Sequence, residues 1–74
     1  MANLCIKIKM QETALRLRSS TLTVGNLAMI FKLDINQRIY ICSEEGGEMI
    51  IPSETGVFNV EDYDKTYVVN GEPT

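Results

Sequence analysis

At 74 residues, with a net charge of −3 and 45% hydrophobic content, the chain has the composition of one soluble globular domain spanning residues 1–74. A domain this small buries only about 60% of the surface its unfolded chain exposes, so a deep, dry catalytic cavity is hard to build. Histidine is absent, which removes the commonest general base, the usual metal ligand and the pH switch near neutrality.

The opening MANLCIKIKM interleaves lysines with apolar residues and lacks a small-residue cleavage site, so no signal peptide is expected. No apolar run reaches the length of a membrane-spanning helix. Residues 4–10 alternate: Leu4, Ile6, Ile8 and Met10 share one face, Cys5, Lys7 and Lys9 the other. That is a half-buried strand. QET (11–13) supplies a turn, and ALRLR (14–18) alternates again with Leu15 and Leu17 inward and Arg16 and Arg18 outward, predicting a hairpin. SSTLT (19–23) is a hydroxyl-rich connector, with Thr21 or Thr23 placed to cap a helix.

From Val24 to Leu33 the period lengthens. Val24, Leu27, Ala28 and Phe31 fall at helical spacing and Ile30 widens the stripe, so one short amphipathic helix is expected, with Phe31 its largest core residue. RIYIC (38–42) reads as a strand with Ile39 and Ile41 inward and Tyr40 and Cys42 outward. SEEGG follows as a turn, and EMII (48–51) is a strand stopped by Pro52. SETGVFNVEDYD (53–64) is expected to be a loop with a one-turn helix near Glu61–Asp64. TYVVN (66–70) closes as a strand with Tyr67 and Val69 inward, and GEPT is a tail. One helix across one face of a mixed sheet of four to five strands, with the first and last strands as parallel central neighbours, is the expected α+β packing. This arrangement is the β-grasp.

Several stretches resemble the ubiquitin-like superfold. INQRIYIC is similar to ubiquitin's third strand and its approach, and GVFNVEDYDKTYVV to its loop, helical turn and last strand, including the acidic-Tyr pair Asp62-Tyr63. Two departures stand out: the helix is about one turn shorter, and the end reads NGEPT where ubiquitin has a diglycine. The tail VEDYDKTYVVNGEP also resembles doublecortin domains, and SEEGGE, with the basic first strand, resembles Phox/Bem-type interaction domains. The helix that normally follows that acidic turn is replaced by SETGVFNV.

The charges are divided along the chain. Residues 1–33 hold five bases against one acid, whereas residues 34–74 hold nine acids against Arg38 and Lys65. Such asymmetry suggests charged partners. The outward sheet face is therefore the expected partner surface: Lys7, Lys9, Arg16 and Arg18 around a partly apolar centre of Tyr40 and Val68. Tyr and Arg are enriched at binding hot spots. The ubiquitin resemblance implies the same face, its central apolar positions aligning with Tyr40 and Asn70. Glu44, Glu45, Glu48, Asp62 and Asp64 form a second, acidic docking surface, expected on a different side of the sheet from the bases and too distant to neutralise them. Weak head-to-tail self-association would follow from that separation.

Catalysis by the Glu44, Glu45, Glu48 turn is not expected, because paired carboxylates need a dry pocket to split their pKa values. The turn lacks the oxygen-ligand spacing of a calcium loop. No phosphate-binding glycine motif is present, and the acidic total charge with no recognition motif argues against nucleic acid. Cys5 and Cys42 fit no metal spacing and are expected to be unbridged thiols of an intracellular, cytoplasmic protein. The reading is a non-catalytic protein–protein interaction module without metal or cofactor. Alternatives are a doublecortin-like tubulin-binding domain, a carrier or modifier if the natural chain extends to a terminal glycine, and a small acidic inhibitor.

Overall fold

The structure, a computed structural model, describes residues 5–74. Five strands and one α-helix are present among them: β1 Cys5–Met10, β2 Thr13–Arg18, α1 Val24–Phe31, β3 Tyr40–Ser43, β4 Met49–Ile50 and β5 Thr66–Asn70. Leu4, expected at the start of β1, lies outside the described residues. The strands form a single mixed sheet in the order β2-β1-β5-β3-β4. β1 and β5 are its parallel pair, so the first and last strands are central neighbours as the order of elements predicts. The other pairings are antiparallel. This is a small α+β domain.

The β1–β2 hairpin turns on Gln11 and Glu12, the pair Met10–Thr13 closing it. Gln11 takes φ 54, the left-handed region, at the first position of this two-residue loop. The hydroxyl-rich connector winds into a short 3-10 turn over Ser19–Thr21. Thr23 then caps α1: its hydroxyl accepts from the Asn26 N–H at 3.2 Å. Val24 N–H, one of the donors left over at a helix start, donates to the Gly56 carbonyl at 2.8 Å.

The helix ends at Phe31, two residues before the apolar stripe does. Lys32 enters the left-handed region, φ 56 and ψ 52. Leu33 N–H then donates back to the Ala28 carbonyl at 2.9 Å, a Schellman-type closure. The turn carries Leu33 into the core, while Phe31 is only half-buried at its margin. Expecting Phe31 as the dominant core residue is thus corrected, because the core side of α1 is held by Leu27 and Ala28.

That core fills the space between α1 and one face of the sheet: Ile6, Ile8, Ile39, Ile41, Ile50, Tyr67 and Val69 from the sheet side, Leu27 and Ala28 from the helix. The segment 53–64 contributes more than a connection. Phe58 and Val60 are buried, Phe58 N–H donates to the Leu22 carbonyl at 3.1 Å, and Val57 bridges Thr23. No helical turn forms at Glu61–Asp64. Asp62 Oδ1 instead accepts from the Asp64 N–H at 3.0 Å, an Asx turn that competes with the helix. The tail is fastened. Leu33 bridges Pro73, Thr74 N–H donates to the Lys32 carbonyl at 3.0 Å, and Asp34 N–H to the Glu72 carbonyl at 2.7 Å.

Candidate interaction surface

Pleating sends the side chains that do not face α1 to the opposite side of the sheet. Register orders them into rows. Ala14, Lys9, Val68, Cys42 and Met49 follow one another across all five strands. Tyr40 stands directly opposite Asn70 in the neighbouring row. On the other flank, Arg16 opposes Lys7 and Lys7 opposes Thr66, and beyond them Arg18 opposes Cys5. None of these residues is buried. Asn70 Nδ2 donates to the Val68 carbonyl at 3.2 Å and lies 3.7 Å from Cys42 Sγ, holding the middle of the face in a fixed arrangement.

The expected residues Lys7, Lys9, Arg16, Arg18, Tyr40 and Val68 therefore share one face, but they do not form a ring around an apolar centre. The bases occupy β1 and β2, and the apolar side lies toward β3 and β4. There Met49 is 59% and Ile51 71% exposed. Both flank Tyr40 in a groove of about 620 Å³ whose wall also includes Val24, Arg38, Ile39 and Pro52. Arg38 is the charged residue of this lining. Met49 and Ile51 were not among the residues expected to bind. Their signal is present in EMII: once Ile50 faces the core, alternation turns both neighbours outward.

The acidic surface corrects an expectation. Glu44 N–H donates to the Thr66 carbonyl at 2.8 Å, which ties the SEEGG turn to β5. Its carboxylate consequently reaches across to β1, and Lys9 Nζ lies 2.5 Å from Glu44 Oε2. Lys65 stands between Glu48 at 3.9 Å and Asp62 at 3.8 Å. Of the bases and acids expected on different sides of the sheet, Lys9 and Glu44 thus pair within one molecule, because β5 brings β1 next to the turn after β3. Glu45 and Asp64 are exposed and belong to none of these ion pairs. Asp62 is half-buried, with its oxygens engaged by the Asx turn and Lys65.

Tyr67 is the fully buried titratable side chain on the core face. Its hydroxyl donates to the Asp62 carbonyl at 3.2 Å. Burial pushes the phenol above its ordinary pKa, and the carboxylates of Glu48 and Asp62 add to the shift. The group is held neutral as a hydrogen-bond donor. Among the described residues no three His, Cys, Asp or Glu side chains are grouped to hold a metal ion, and no helix is long and apolar enough to cross a membrane. Cys5 and Cys42 are free thiols, with β5 between their strands.

Comparison with known proteins finds no match: no family model, no curated protein and no solved structure.

Proposed function

We propose that the domain is a non-catalytic, ubiquitin-like β-grasp module that binds a protein partner reversibly through the outer face of its sheet. What supports the β-grasp reading is the order β2-β1-β5-β3-β4, with parallel central strands and a single helix on one side. The binding reading rests on one observation above all. Tyr40, Val68, Met49 and Ile51 leave apolar surface open beside a basic flank of Lys7, Arg16 and Arg18. An apolar patch that includes an aromatic side chain and has arginines on its flank is the composition that interfaces favour. Two free thiols suit a reducing, cytoplasmic setting.

The test is affinity capture from an extract of the source organism, followed by binding measurements with the recovered partner. Tyr40→Ala and Met49→Ser should each weaken the partner's binding by about tenfold or more, as removal of a hot-spot side chain does. Equal affinity of both variants and the parent domain would move the interface elsewhere.

A further inference from the structure

The sheet has one long open edge. β2 pairs with β1 through all six of its residues, and among the described residues no strand lies on its other side. Because the hairpin closes on Met10–Thr13, the alternation of an antiparallel ladder turns the N–H and C=O groups of Ala14 and Arg16 away from β1. Among the described residues no backbone hydrogen bond outside the ladder reaches them. The opposite edge, β4, is two residues long and is followed by Pro52, so it offers no comparable ladder.

Proteins usually protect such an edge with proline, a bulge or an inward-pointing charge. β2 has none of these, its register being unbroken and its inward residues Leu15 and Leu17; its protection is the outward charge of Arg16 and Arg18, which a segment carrying carboxylates would neutralise. Both leucines are half-buried and, with Met10 and Phe31, form a partly covered margin of the core. On the other side of the strand, Arg16 and Arg18 are exposed, with Lys7 beside Arg16. Among the described residues none of the three has a carboxylate within 4.0 Å, whereas Lys9 is taken by Glu44.

We propose that this edge accepts an extended segment of a partner protein in which apolar and acidic residues alternate, added beside β2 as a sixth strand. Its backbone would pair with Ala14 and Arg16. Its apolar side chains would cover Leu15 and Leu17, and its carboxylates would stand opposite Arg16 and Arg18. Strand addition of this kind draws affinity from main-chain hydrogen bonds and specificity from alternate side chains. A second copy of β2 is a poor occupant: a register centred on Arg16 sets arginine opposite arginine, one centred on Leu15 leaves the two Arg16 on a diagonal, and like charges facing each other across strands destabilise the pair.

The probe is a synthetic peptide alternating valine and glutamate with blocked ends, titrated into the isotope-labelled domain and followed through its backbone amide resonances. Shifts should concentrate on residues 13–18, and the amides of Ala14 and Arg16 should gain protection from hydrogen exchange. The double variant Arg16→Glu/Arg18→Glu should lose about tenfold or more in affinity, with binding restored by the valine–lysine peptide. Proline at the centre of the peptide should abolish the interaction. The proposal is overturned if β2 amides stay unshifted at millimolar peptide, or if shifts gather on Tyr40, Cys42 and Met49. Equal binding of the lysine peptide to the parent domain, or a dimer formed through β2, overturns it as well.

Discussion

Lys9 and Glu44 are 35 residues apart in the chain, yet their charged atoms lie 2.5 Å apart across the outer face. Lys9 is placed by the β1–β5 pairing and Glu44 by its N–H bond to Thr66 of β5, so the ion pair reports on the strand order itself. Both side chains are more than a third exposed, which limits the gain to about 0.2–1 kcal/mol. A double-mutant cycle of Lys9→Met and Glu44→Gln should return a coupling in that range at low salt, falling toward zero in ~1 M salt. Zero coupling at low salt would separate the two side chains in solution.

Tyr67 should impose an alkaline limit on stability. Below pH 10 both folded and unfolded chains hold the phenolic proton and the full stability is present. Above that value the unfolded chain releases it first, so stability falls as pH rises toward and through the raised folded pKa. Tyr67→Phe removes the bond to the Asp62 carbonyl and should cost about 1 kcal/mol at neutral pH. Its stability should decline less steeply than the parent's at high pH. Denaturant titrations between neutrality and the alkaline range measure both effects, and parallel curves would contradict the assignment.

Two backbone positions near the tail carry opposite expectations. A Cβ at Gly71 would stand 2.9 Å from Leu33 Cδ1 and 3.2 Å from Ile39 Cγ1, and both residues are buried. Gly71→Ala should therefore destabilise by about 1–3 kcal/mol through overpacking. Lys32 is left-handed at the end of α1, and Lys32→Gly should stabilise by about 0.5–1 kcal/mol by relieving its Cβ. Thermal or denaturant melts that leave Gly71→Ala as stable as the parent would mean the tail does not seat against Leu33, and a destabilised Lys32→Gly would contradict the left-handed closure of α1.

Of the two phenylalanines, the core depends on Phe58 and not on Phe31. Phe58 is 2% exposed and its backbone is bonded to Leu22, whereas Phe31 is half-buried. Phe58→Ala should cost about 3–5 kcal/mol, enough to unfold a marginal domain, and Phe31→Ala distinctly less. Arg18→Ala, on the exposed face, should stay within about 0.5 kcal/mol of the parent. Chemical denaturation of the three variants ranks them; Phe31→Ala as the most damaging would reverse the packing described.

The sequence by itself determined the elements whose evidence is periodic. Alternation in residues 5–18 and 66–70 marks β1, β2 and β5, with the inward set Ile6, Ile8, Tyr67 and Val69 buried as expected. A change to helical spacing after Thr23 marks α1 and its cap. These signals are local, because a strand or helix must show its apolar side at its own period. Tertiary structure decided what local period cannot express. Phe58 and Val60 enter the core from a segment without periodicity, because its backbone is fastened to Leu22 and α1's first turn. Lys32 ends the helix inside an unbroken apolar stripe, since Leu33 gains burial by turning back toward the core and the docked tail. The division of charge along the chain became partial pairing in space for the same reason. Side chains distant in sequence meet only where non-local strand pairing brings them together, and β5 lies between the strands that carry Lys9 and Glu44.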